Sequence, residues 1–553
     1  MAKRQSLTVV FLAMAPWWAC TGKVDHDKAA ADDDSSTDMG GGGQAGSPSP
    51  PAAPTEPLSP ADLQTSCTKD AAFPRRLLRL AGAEVVASLA KTNATTQVVW
   101  PGELKDPNQS PRADDSLVVS RSFYDAIHEV AIGVAKQLPQ ANALPCDVAK
   151  FGVEATCTNT LLNKWLPLVF RGRSDSKDVA ALAGLAQTVA SRSGGQRALE
   201  LVVRASLQSP KFLYLAEGID AALASKPQAS PMSGPELAAY LSFHITGEPP
   251  SEALLKAVAD KVFTQESLQA LLKQQFSDQQ RQLALADFLK HWLNTSDIAK
   301  LARDKGKHPE ADAVFLTKLR DETDAAVARA SSDNTMTLAK LLTSTQSSTL
   351  LDGNAGAQRP GFFALPGVVA ASSAADHTNI PRRGRVLMRN LFCEEAVLPP
   401  PGVINKVPTL PDTASQRQRF EAVETQPQCA ACHVTIDHLA YPFEVYDELG
   451  RTRTMDEKGN VIDTASSFTA ADGSTLQYKD AREFMQKASE SPLVKGCYAL
   501  QSFRYVASRF ERGSADACLI KDVAAVVTSP SSSLLDVLTT AFAKTALANR
   551  GDQ

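Results

Sequence analysis

Leu285-Ala286-Asp287-Phe288-Leu289-Lys290-His291-Trp292-Leu293 repeats apolar side chains at i, i+3, i+4, i+7 and i+8. That spacing lays Leu285, Phe288, Leu289, Trp292 and Leu293 along one face of an amphipathic helix, with Asp287 and Lys290 off the stripe. The same period returns at Leu493, Cys497, Leu500, Phe503, Ala507 and Phe510, where Ser491-Pro492 reads as cap and first turn. Gly513 then leads into a further helix from about Ala515. Alternating strand patterns are scarce. Thr454 to Phe468, with the approach to Leu476, reads as a small hairpin with Gly459-Asn460 at its turn. The expected fold is mainly α, a multidomain helical body with only small β elements.

Breaks fall at the polar, proline-bearing stretch Asp106 to Asp115, at Lys226 to Gly234, and at the stiff connector Leu398-Pro399-Pro400-Pro401-Gly402. No repeat of fixed period is found. The 553 residues carry a net charge of -4 and no long basic stripe, so nucleic acid is a poor partner. No apolar run after the first residues reaches the length of a membrane span.

The first residues read as an export signal. Lys3 and Arg4 precede an apolar run from Leu7 to Ala15, which ends in Trp17-Trp18-Ala19-Cys20. A small residue before cysteine is the layout of a bacterial lipoprotein cleavage box, with lipidation at Cys20. Trp17 departs from the aliphatic residue usual there, so simple secretion is the alternative. From Thr21 to about Pro60 an acidic patch (Asp32 to Asp34), Gly40 to Gly43 and a Ser/Pro/Ala tract form a solvated linker. Such a tether spans roughly 35 Å and can hold a folded body off a membrane.

Gln428-Cys429-Ala430-Ala431-Cys432-His433 carries the chemistry. Two thiols two residues apart, followed at once by histidine, are the attachment signature of a c-type haem. Each thiol adds to one vinyl group, and His433 is placed to reach the iron. The alternatives are a Cys429–Cys432 disulfide and half of a zinc site. No second CxxC or HxxxH follows to complete the zinc set. Ile436 cannot supply a sixth iron ligand, and His438 lies too close along the chain. Met455 is the first candidate, His377 the alternative and Met485 a distant third.

With Cys20 lipidated and Cys429 and Cys432 on haem, six of nine cysteines remain: Cys67, Cys146, Cys157, Cys393, Cys497 and Cys518. An even remainder in an exported chain fits three disulfides. Cys146–Cys157 is the easiest local pair, Cys497–Cys518 the next, and Cys67–Cys393 what is left.

The body resembles a modular bacterial family, abundant in planctomycetes and myxobacteria, built from domains of unknown function numbered 1587, 1595, 1592, 1588 and 1585 in series. Many members carry cytochrome modules. Pro74-Arg75-Arg76-Leu77-Leu78-Arg79-Leu80 looks like its opening Arg-rich helix, without the tyrosine expected a little later. Leu207-Gln208-Ser209-Pro210-Lys211-Phe212-Leu213-Tyr214 and the helix from Pro235 to Phe243 are similar to the next boxes. Pro381-Arg382-Arg383-Gly384-Arg385, Asn390 to Cys393, and the CxxCH motif followed by Phe443-Glu444, Tyr446-Asp447 and Gly450-Arg451 resemble another module. His438 stands where the family has proline. Lys495 to Cys518 resembles the closing module. The resemblance implies domain order and no reaction.

The expected domains are a signal at 1–20, a tether at 21–62, helical modules at 63–145, 146–225 and 230–352, the CxxCH module at 355–460 and a closing module at 465–550. Asp437, Glu444, Asp447 and Glu448 form a carboxylate-rich stretch that suits calcium or acid–base work. The plainer reading is a solvated loop with Asp437 as a cap. Arg382, Arg383 and Arg385 are candidates to clamp an anion, such as a haem propionate, or form a solvated turn. His128, His244, His291 and His308 lack ligand spacing and read as structural. No hydrolase, zinc-protease, P-loop or dinucleotide motif occurs, which argues against the common enzymes. The leading expectation is an exported, lipid-anchored haem c protein at the outer membrane or cell surface, or in the periplasm. It would transfer electrons with a redox partner protein. A non-redox surface scaffold with a Cys429–Cys432 disulfide is the alternative, and an envelope enzyme acting on a polymer is the third.

Overall fold

The computed structural model describes residues 72–92, 98–101, 119–138, 146–220, 228–352, 359–395 and 408–551. The leader, the tether, Cys20, Cys67, the 106–115 break and the proline connector lie outside them. Among the described residues, helices dominate and strands occur only as four two-stranded pairs, as the helical periodicity predicts. No described helix is long and apolar enough to cross a membrane.

Two large apolar clusters, with two small ones beside them, organise the unit that holds the described residues. The first is built from helices Arg121–Gln137, Ala155–Val169 and Ser176–Leu207, the last broken at Gly194, where φ is 79°. The second gathers helices from Gly234–Thr246 to Leu534–Leu547. The opening stripe lies in helix Asp278–Trp292, with all five apolar residues buried there or just beyond its end. Ser277 caps that helix, accepting from Gln280 N. The stripe packs on helix Pro492–Ala507: Phe288 meets Tyr498 edge-on at 5.5 Å, and Trp292 does so at 5.1 Å.

Several local expectations change. The Arg-rich opening box is a strand, Arg76–Arg79, antiparallel to Tyr214–Glu217 at the end of the Pro-Lys-Phe-Leu-Tyr box. The non-local partner overrides the helix-forming composition, and Arg79 stacks over Phe123 at 3.8 Å. Ser491 makes no side-chain cap, although Pro492 does open its helix, and Phe510 falls beyond the helix end. The hairpin pairs Ser466–Thr469 with Thr475–Tyr478 and turns at Gly473. Gly459-Asn460 closes a smaller loop bridged at Met455 and Val461.

Cys146–Cys157 is present as expected. Cys497 pairs with Cys393 and not with Cys518, which also removes the Cys67–Cys393 pairing. Cys518 is itself disulfide-bonded. The Cys497–Cys518 expectation rested on nearness in sequence. Cys497 instead faces the left-handed Cys393 (φ 54°) that ends a π-helical turn, Met388–Phe392.

The first and last described strands close the body. Phe73–Pro74 runs parallel to Arg550–Gly551. Beneath them the buried Glu217 binds Arg76 at 2.7 Å and Arg550 at 3.2 Å.

Candidate cofactor site

Cys429, Cys432 and His433 lie on helix Pro427–Ala440, which opens with proline in its first turn. At about 100° per residue their positions share roughly a 100° arc of one helix face. Both cysteines are half-buried and not joined in a disulfide.

His433 is held from behind. Its Nδ1–H donates to Asp437 Oδ2 at 2.7 Å, one helical turn on. Asp437 is fully buried, and its Oδ1 has no hydrogen-bond partner. The bond to Asp437, partly offset by burial, holds the His433 imidazole above its ordinary pKa. Burial raises the Asp437 carboxyl although His433 draws it down. Phe420, on helix Gln416–Glu424, stacks on the imidazole with centroids 6.1 Å apart. The expected cap at Asp437 is therefore corrected to an orienting partner. The i, i+4 spacing on a helix was the signal for it.

The CxxCH helix is seated by Gly384 of helix Ile380–Leu387. A Cβ there would overlap the Ile436 carbonyl, so the two backbones touch only because residue 384 is glycine. Gly384→Ala is expected to cost about 1–3 kcal/mol by forcing the helices apart. Urea unfolding checks this, with near-ultraviolet dichroism reporting the shifted packing.

The other carboxylates do not converge. Glu444 binds the buried Arg383 at 2.7 Å and Arg453 at 3.1 Å, and accepts from Thr378 at 2.8 Å. Asp447 folds back on the backbone N–H groups of Leu449 and Arg451 and on the Arg451 guanidinium. Glu448 meets His308 at 2.6 Å in a buried pair. Among the described residues, no group of three or more His, Cys, Asp or Glu is placed to hold a metal ion. The calcium reading is thus replaced by separate ion pairs that hold the Phe443 to Arg453 loop. Arg383, spent on Glu444, leaves the expected arginine clamp.

His438 lies within helix Pro427–Ala440. It faces the hairpin and bonds Ser467 O at 3.1 Å and Glu424 at 3.3 Å. Met455 is half-exposed on its bridged loop, His377 is tied to Asp376 at 2.7 Å, and Met485 is wholly buried in the second core. His128 contacts Arg204, His244 contacts Ser508, and His291 lies 6.4 Å from the Tyr505 ring.

Three family models match in chain order. One for PSD5, a protein of unknown function (DUF1595), covers residues 157–217. One for PSD4, a protein of unknown function (DUF1592), covers residues 232–352. One for PSCyt3, a protein of unknown function (DUF1588), covers residues 359–456 and so contains the CxxCH helix. The chain carries this modular series of domains of unknown function. Neither a curated protein nor a solved structure matches it. The modules do not fold apart: the second core runs unbroken from the DUF1592 module through the DUF1588 module to the closing helices.

Proposed function

We propose that the chain carries one covalent c-type haem on the 427–440 helix and acts in electron transfer at the cell envelope. One observation carries the reading: two thiols and an imidazole share a helix face, and a buried carboxylate orients that imidazole. The donor set fits the group. Cys429 and Cys432 would hold the porphyrin edge, and His433 Nε2 would meet the iron. Haem so held supplies one-electron chemistry. Asp437 fixes the His433 tautomer, leaving Nε2 as the donor, and makes the ring a stronger base. Met455 remains the proposed sixth ligand, with His377 second. Export with lipidation at Cys20 belongs to the same proposal. Cys20→Ala should release the protein from membranes, and failure of labelled fatty acid to enter the wild-type chain sinks the anchor.

The central test is protein produced in a host with cytochrome c maturation. A Soret band that survives acid-acetone extraction is expected, and Cys429→Ala with Cys432→Ala should abolish it. Correctly exported wild-type protein without haem would overturn the proposal in favour of the scaffold. Asp437→Asn keeps the shape but removes the carboxylate. It is expected to raise the reduction potential by on the order of tens of millivolts, since His433 becomes a weaker donor. A potentiometric titration of both forms measures this.

A further inference from the structure

Helix Ile380–Leu387 presents Gly384 and buried Leu387 on the side away from solvent, with Gly384 against the CxxCH helix. Arg382, Arg385 and, in the π-helical turn that follows, Arg389 line a cleft elsewhere on this segment. The cleft holds about 310 Å³ and is lined also by Asn294, Asp297 and Glu395, with Ala371 and Val386 among its apolar residues. That volume suits a single small molecule.

The walls are fixed before any ligand arrives. Trp292 Nε1 donates to Asn390 O at 2.7 Å, and the Asn390 amide donates back to Trp292 O. Arg303 braces the apolar side, donating to Ala370 O at 2.7 Å and Ala374 O at 3.0 Å. Cys393, disulfide-bonded to Cys497, pins the end of the π-helical turn. Arg382 donates to Ser373 O at 3.2 Å. The Arg385 side chain is exposed and makes no hydrogen bond or ion pair with the described residues.

We infer that this cleft binds a small hydroxylated carboxylate, in its simplest form a sugar acid. Asp297 is already paired with Lys300 at 2.9 Å, so Arg382 and Arg385 against Glu395 leave one positive charge for a monoanion without Arg389 in the count. The planar arginine fork matches a carboxylate in two parallel hydrogen bonds. Asn294, Asp297 and Glu395 supply acceptors for ligand hydroxyls, and Ala371 and Val386 give the apolar surface a sugar ring needs. The site differs from the clamp expected at Arg382, Arg383 and Arg385, because Arg383 is buried against Glu444 and Arg389 takes its place. It needs no haem.

The test is calorimetric titration of the full chain with glucuronate, glucose and sodium chloride at matched ionic strength. Glucuronate should bind, glucose should not, and the salt should produce no matching heat. Arg385→Gln should weaken glucuronate by roughly tenfold or more, as expected for a lost charge-assisted bond, with thermal stability unchanged. Arg385→Lys should recover part of the loss. Equal responses to glucuronate and sodium chloride would overturn the inference, as would undiminished binding by Arg385→Gln. Repeating the titration on the Cys429→Ala, Cys432→Ala chain separates this site from the haem reading, since binding should persist there.

Discussion

Glu217→Ala is expected to destabilise the protein by roughly 3–5 kcal/mol, the cost of leaving buried charge uncompensated. Glu217 sits under the junction of the first and last strands, with Arg76 Nη2 at 2.7 Å from one oxygen and Arg550 Nη2 at 3.2 Å from the other. Both arginines are buried: Arg550 is fully enclosed and stacks over Phe73 at 5.1 Å, and Arg76 also reaches Ala507 O at 2.7 Å. Removing the carboxylate strands both cations and loosens three segments far apart in sequence. The pH dependence follows. Burial alone would raise the Glu217 carboxyl, but Arg76 and Arg550 outweigh it and hold it at about 2, below the ordinary 4.5. A depressed folded pKa stabilises above the unfolded value and loses that contribution as pH falls through the folded one. The gap between wild type and Glu217→Ala in urea titrations should be full at pH 7 and shrink between about pH 4.5 and 2. A gap that does not change with pH would show that the charge of Glu217 is not what closes the body.

Removing Cys393–Cys497, by Cys393→Ala with Cys497→Ala, is expected to cost about 4 kcal/mol. The bridge closes a separation of 104 residues, and freeing a loop of that length restores much entropy to the unfolded chain. The bridge also ties the Arg389 turn to helix Pro492–Ala507, which carries the opening stripe's partner ring, Tyr498. The same change at Cys146 and Cys157, with a separation of 11, should cost less. Paired urea titrations rank the two losses. An equal or larger loss at Cys146–Cys157 would contradict the loop-length account.

Much of the fold was legible because helical periodicity is local. Leu285 to Leu293 needs only its own spacing to declare a face, and the described structure buries that face. The grouping of Cys429, Cys432 and His433 on one helix face is legible for the same reason, since the three lie within five residues. Arg76 to Arg79 was misread because strand or helix there depends on Tyr214 to Glu217, more than a hundred residues away. Cys497 was misassigned because nearness in sequence stood in for nearness in space.

The sequence by itself determined the helical class and the grouping of Cys429, Cys432 and His433, since both rest on short-range spacing and residue type, while the module order came from the family resemblance. Only the tertiary structure decided which charged groups are spent and which are left over. Arg383 goes to Glu444, Glu448 to His308 and Glu217 to Arg76 and Arg550, while Arg385 keeps no partner among the described residues. The physical reason is that a buried charge needs a counter-charge within a few ångströms, and in this chain those partners arrive from segments tens to hundreds of residues apart.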